Sequence, residues 1–306
     1  MKLLRIYLPA LFVLLTMFTG CNLKDADCPA NLRIYFVSNP ATRTNDNINP
    51  AEIGKIELYI FDAQGILQSI KTDNNPAFGP DYYMTISGLS AGDYRFVAWA
   101  GRRDIFSVTP SGAELVIGKT KFSEFHVLLS HISNRVGDNS VHYPLFHADK
   151  SDYVTVQYIE QSIYATLAPM HNIINLTTEG LRINSDSYSL EIHDKWNGRY
   201  GFDRSFTATG NVLYLAQCAK DSQGQLSASL NMLRVTNSRQ PVFIIYNTTK
   251  KEILFEADLL ELINKIQGIN LETTHIYNIH IRFSTDIAAN VSINGWDVTE
   301  WIARPR

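Results

Sequence analysis

The chain has 306 residues, 45% of them hydrophobic and 19% charged, and a formal net charge of −3. That balance describes a globular protein and excludes a disordered one; its mild acidity argues against nucleic acid as a partner, since phosphate binding wants a basic stripe. Three cysteines are too few for a disulfide framework.

The first element is a leader. Lys2 and Arg5 precede an apolar run from Leu8 to Leu15, broken only by Pro9 and Ala10, and Thr16 to Gly20 form a small or weakly polar approach to Cys21. This is a secretory signal layout, too short to span a bilayer of roughly 30 Å. Its end, Phe18-Thr19-Gly20-Cys21, is similar to the bacterial lipobox, in which the thiol is diacylated and the chain is then cut before it. Residues 1–20 are therefore expected to be a lipoprotein signal peptide, cleaved after Gly20. Cys21 is then expected to carry S-diacylglycerol and an N-acyl chain such as palmitate. Acyl chains at about 0.8 kcal/mol per buried methylene give stable anchoring. A lipidated Cys21 cannot bridge Cys28. Residues 1–20 hold two bases and no acid, so their loss takes the net charge from −3 to −5. Cys28 and Cys218 can pair or stand as separate thiols, and spacing does not decide between them.

Residues 21–30 read as a short polar tether. "NLRIYFV" is the first strand-like run, ended by the loop chemistry of "SNPATRTNDNINP". "IGKIELYIFDAQGILQSI" predicts a hairpin turning at Asp62 to Gly65. "YYMTISGLSAGDYRFVAWAG" predicts another; in its second arm Tyr94, Phe96 and Ala98 face one way and Arg95, Val97 and Trp99 the other. No helical period beyond a turn or two occurs before residue 170. A second unit opens near Pro169. "SYSLEIHDKWNGRYGF" predicts a hairpin with Asn197-Gly198 at its tip, and further strands follow to "QPVFIIYNTTKKEILFEA". In "EADLLELINKIQG" the period changes. Leu259, Leu262, Ile263 and Ile266 fall on one helical face, with Gly268 past the end. "HIYNIHIRF" and "AANVSINGWDVTEW" close the chain as strands. The expected fold class is all-β: two tandem β-sandwich domains, residues 31–166 and 167–306, the second with one short α-helix.

A search for chemistry finds little. His126 and His131, His142 and His147, and His275 and His280 are each five apart, so on a strand each pair points to opposite faces and shares no local ligand site. No nucleophile elbow, zinc-helix motif or phosphate loop occurs. Asp186 and Asp194 lie near serine and histidine in residues of loop type. Glu256, Asp258 and Glu261 suit the start of the helix through its dipole. We expect no catalytic residues, metal, cofactor or small-molecule substrate. A glycosidase would need two carboxylates within roughly 5 to 10 Å, and no candidate pair stands out.

The order of these segments is itself informative. "CNLKDADCP", "IGKIELYIFDAQGIL", "LSAGDYRFVAWA", "LFHADK", "PMHNIINL", "SYSLEIHDKWNGRYGFD", "ADLLELI" and "YNIHIRFSTDIAANVSINGWDV" together resemble the FimB/Mfa-type fimbrial anchoring subunit family of Bacteroidales, minor subunits of type V pili. The resemblance covers nearly the whole chain. It implies transthyretin-like sandwiches, a lipid anchor in the outer membrane exposed at the cell surface, and a role at the pilus base. It also implies a fimbrial stalk subunit as partner, joined by β-strand complementation. Related stalk subunits are cut by an Arg-specific protease after their first strand, and Arg43 offers such a site here. An anchor must keep its lipid and first strand on one chain, which favours Arg43 as a plain loop cation. The alternative function within the family is a surface adhesin or tip subunit that binds host or bacterial glycan or protein. Trp99 and Trp296, in strand patterns, are expected to be buried rather than to serve it.

Overall fold

The computed structural model describes residues 30–44, 48–101, 106–110, 115–129, 135–136, 144–181, 185–195, 198–208, 210–284 and 288–302. The signal segment, Cys21, Cys28, His131, His142 and Asn197 lie outside them.

Alternating apolar residues set the first repeat. In β1 (Ala30–Val37), Leu32, Ile34 and Phe36 point inward and are fully buried, as the period of two requires. β1 runs parallel to β9 (Gln161–Pro169) and antiparallel to β4 (Tyr83–Leu89). The facing layer holds β3 (Leu67–Asp73), β2 (Ile56–Asp62), β5 (Gly92–Gly101) and β8 (Leu145–Val156), in that order. β9 joins the layers: Gln161 to Thr166 pair with β1, and Leu167 to Pro169 with β8. Between the layers, Leu32, Ile34 and Phe36 pack with Leu58, Ile60, Phe96 and Ala98 in one core.

The predicted β2–β3 hairpin forms. The Asp62 carboxylate accepts from the amides of Gln64 and Ile66, and Gly65 takes φ +73°, which glycine adopts without strain. The predicted hairpin across residues 83–101 does not form. β4 pairs with β1 and β5 with β2 and β8, so the link between them crosses from one layer to the other.

The second repeat reuses the plan. β10 (His171–Glu179) lies parallel to β19 (Ile276–Phe283) and antiparallel to β16 (Leu226–Leu233). The opposite layer is β14 (Val212–Gln217), β11 (Tyr188–Asp194), β17 (Val242–Asn247) and β18 (Glu252–Asp258). β1, β2, β3, β4, β5, β8 and β9 thus correspond in order and pairing to β10, β11, β14, β16, β17, β18 and β19. The predicted helix is α1 (Leu259–Asn264), with Leu259, Leu262 and Ile263 buried, Ile266 buried just beyond, and Gly268 at φ +73°. Asp258 caps it, and Glu261 sits in its first turn, but Glu256 belongs to β18 rather than to the helix. The short β15 (Ala219–Lys220) extends one edge of the β16 sheet, and β20 (Ala288–Ile293) with β21 (Trp296–Ile302) extends the other. Asn294-Gly295 turns β20 into β21 with both residues at positive φ, the requirement of a two-residue hairpin turn.

The predicted hairpin across residues 188–201 is also absent. β11 pairs with β14 and β17, while β12 (Gly198–Gly201) leaves for another sheet. There it pairs with β13 (Phe206–Ala208) and with β7 (Phe125–Leu129), which pairs in turn with β6 (Phe106–Pro110). This four-stranded sheet is built from one insertion in each repeat.

Candidate functional site: the first strand and the junction of the repeats

β1 sits in the middle of its layer, with backbone partners on both sides. Its outward residues form a polar-aromatic strip. Tyr35 lies 5.1 Å from Tyr83 and 5.2 Å from Tyr164, ring centre to ring centre. Arg33 covers Tyr83 and is paired with Glu160 at 2.5 Å. The loop that follows is tied. The amides of Ser38 and Asn39 both donate to the Thr44 carbonyl, and the Asn39 side chain accepts from the Ala41 amide. Arg43, at φ +57°, lays its guanidinium 4.6 Å from the Tyr164 ring centre. The candidate scissile residue therefore belongs to a hydrogen-bonded loop, with its side chain on the sheet.

The outer face of the β3–β2–β5–β8 layer is the junction. Tyr59, Phe61, Val97 and Trp99 point away from the first core and are buried beneath the shared sheet, in a cluster continuous with the second core. Phe202 is its hub, 4.9 Å from Tyr59, 4.8 Å from Phe125 and 6.0 Å from Trp99. The contact with Tyr59 is edge-on and those with Phe125 and Trp99 are tilted, and aromatic pairs of this kind add to area burial. His147 sits against Trp99, and its Nε2–H donates to the Phe202 carbonyl at 2.9 Å. Burial pushes its pKa down to about 3, because the charged form is disfavoured away from water. The loops beside the β6–β7 hairpin also cover edges. The loop after β6 donates and accepts at Gly65 and Leu67, beside β3, and the Val136 amide donates to Leu213 of β14.

Sequence reasoning missed two polar constellations in the second repeat. Arg239, fully buried, donates to the carbonyls of Leu233 and Arg234 and pairs with the buried Asp194 carboxylate. Burial lowers its pKa to about 9, so it stays charged at neutral pH. The second runs along the outer face of β11. Ser189 donates to Glu191 at 3.0 Å, and His193 Nε2 lies 2.7 Å from the same carboxylate. The bond from His193 holds Glu191 below the usual carboxylate range, and the bond from Ser189 helps, against the opposing effect of burial. Serine and histidine both address the carboxylate and not each other. The only base against the hydroxyl among the described residues is Glu191, held below the usual carboxylate range and so a weak one, and the histidine does not reach the serine. The row lacks the serine–histidine geometry of an activated nucleophile. The alternation of "SLEIH" signals it.

Cys218 is half-buried with a free thiol, pushed up to about 12 by burial. Asp186 is bonded by Asn247 and paired with Lys250 at 3.1 Å. Trp99 is buried as expected, but Trp296 is 58% exposed: it follows the Asn294-Gly295 turn, where none of the described residues packs over it. Among the described residues no three His, Cys, Asp or Glu side chains gather as a metal site.

Fold and junction together define a two-repeat β-sandwich protein whose halves are tied by a shared sheet. A family model described as fimbrillin-A associated anchor proteins Mfa1 and Mfa2 matches residues 24–300. The chain belongs to that family, one of structural fimbrial proteins rather than of enzymes. The minor fimbrium anchoring subunit Mfa2 of Porphyromonas gingivalis is 21% identical, over 96% of this chain and 94% of its own length. The solved fimbrial anchor protein Mfa2 from that organism superposes with a TM-score of 0.71 at 19% identity, covering 90% of this chain and all of the other. A candidate adhesin from Bacteroides ovatus also reaches 0.71, at 18% identity, over 88% of this chain and 95% of its own.

Proposed function

We propose that the protein is an outer-membrane lipoprotein that anchors a type V fimbria at its base. It is held by lipid on Cys21 and joins a stalk subunit by β-strand complementation. The observation that carries this reading is β1. Its Leu32, Ile34 and Phe36 fill the first repeat's core directly behind the tether, so an intact chain links the lipid to a closed sandwich. A subunit that lost β1 would lose its anchor. The tied loop around Arg43 favours retention, since a protease must free several residues to cut there. Among the described residues no strand pairs with the outer edges of β4, β18 or β21; such edges supply main-chain donors and acceptors for an incoming strand.

Deleting the gene is expected to give long, shed or detached pili, and the mature protein to begin at Cys21. Pili that stay attached while adhesion is lost would instead support the adhesin or tip role. A mature N-terminus at Thr44 would overturn retention of the first strand.

A further inference from the structure

Four parts of the first repeat meet at one end. Ala30 is level with Leu89, Leu32 with Gln161, Gly92 with Val156, and Asp62 with Tyr94. The start of β1, the β2–β3 turn, the β4–β5 link and the β8–β9 turn therefore share the end at which the tether enters. Three large apolar side chains stand exposed there: Tyr153 at 51%, Tyr158 at 39% and Ile159 at 61%. The Tyr153 hydroxyl donates to Ala63 in the β2–β3 turn. Tyr158 and Asp62 both act on Tyr94, whose pKa burial raises first and these two raise further. The charges nearby are already engaged. Asp62 holds its turn and Gln68, Asp93 accepts from Thr155 at 2.6 Å, and Glu160 holds Arg33.

We propose that this end is a lipid-contacting tip, in which Tyr153, Tyr158 and Ile159 enter the headgroup region of the membrane. The proposal rests on the lipid-anchor reading above. Eight residues separate Cys21 from Ala30, a reach of at most ~30 Å. A surface held that close experiences the tip at a local concentration in the millimolar range, so a weak patch suffices. Tyrosine suits such a place, since its ring is apolar and its hydroxyl stays wet. The acyl chains supply the affinity; the tip supplies direction. It sets the long β9 strand leading away from the membrane, toward the second repeat. Among the described residues no basic cluster contributes, so the contact is apolar and insensitive to salt, unlike polybasic binding.

The test uses the lipidated full chain in vesicles of phosphatidylethanolamine and phosphatidylglycerol. Ile159→Trp, or Tyr158→Trp as a second variant, adds emission over the parent. That added emission is expected to shift to the blue and to be quenched by lipids brominated near the headgroup, equally in low and high salt. Tyr83→Trp, at the other end of β4, is expected to escape quenching. Equal quenching at both ends, or none at residues 158 and 159, overturns the tip. Loss of quenching in salt overturns its apolar character. The lipid reading is judged separately by fractionating Cys21→Ala: release into the soluble fraction supports lipidation, and retention overturns it, while the quenching result still decides the tip.

Discussion

The two repeats share an order of strands and differ in what covers them. In the first, the β3–β2–β5–β8 layer is buried on both faces, so β5 reads as a run in which Phe96, Val97, Ala98, Trp99 and Ala100 are all inaccessible. In the second, no such roof lies over the corresponding β14–β11–β17–β18 layer among the described residues, and its outer face sets the polar row Ser189, Glu191 and His193 among Leu213, Leu215, Val242 and Ile244. One insertion from each repeat makes the difference. Both the β6–β7 hairpin and the β12–β13 hairpin lie over the first repeat, where they become a roof. The same topology thus yields a strand buried on two sides or on one, depending on where a neighbour's hairpin lands.

The contrast can be broken most severely at the roof. Trp99→Ala should cost about 3–5 kcal/mol, the range for a large aromatic lost from a core. Tyr246→Ala, on the open face of β17, should cost ~1 kcal/mol or less. Urea titrations that gave both variants similar midpoints would show that the roof is loosely packed. A second effect is confined to the first repeat's covered face. His147 is held neutral with a folded pKa of about 3, below the unfolded value of about 6.5. The stability it supports is complete above pH 6.5 and drains as pH falls toward the folded pKa. The loss between neutral pH and about pH 4 should be on the order of 3 kcal/mol. His147→Gln should flatten that part of the profile, and an unchanged slope would exclude this histidine as its source. The smallest effect tests what only the second repeat has, the helix between its last two core strands. Asp258 accepts from the Glu261 amide at 2.9 Å. Asp258→Ala should lower stability by ~1 kcal/mol, and no measurable change in thermal midpoint would mean that packing of Leu259, Leu262 and Ile263 alone sets the helix.

Much of this was legible in residues. The alternation of "DYRFVAWA" assigns Phe96 and Trp99 to opposite faces, and each indeed enters a different core. The 3.6-residue period of Leu259, Leu262, Ile263 and Ile266 locates the helix. Pairing was less legible. Turn residues in "GLSAGD" and "KWNG" suggest local hairpins, yet the strands that flank them take other partners, β4 with β1, β5 with β2 and β8, β11 with β14 and β17, and β12 with β13 and β7, so tertiary pairing overrides turn chemistry. Asn294-Gly295 is the Asn-Gly turn that does close a hairpin, and its position explains why Trp296 stays in solvent. The junction had no local signal at all, since Val127 meets Tyr200 only after both repeats exist. As for the lipid and cysteine sites, Cys21 and Cys28 fall outside the described residues, and their reading rests on the sequence alone.

The pairing of β7 with β12 also sets a schedule. A chain that crosses a membrane N-terminus first presents Tyr59, Phe61 and Trp99 before Phe202 has followed. Until then the first repeat has a sticky aromatic flank and unpaired strand edges, the features that make incomplete chains aggregate. Distant pairings form late because the intervening chain must first be ordered. The interval between the two hairpins is therefore a window of vulnerability during export, closed when the second half delivers the roof of the first.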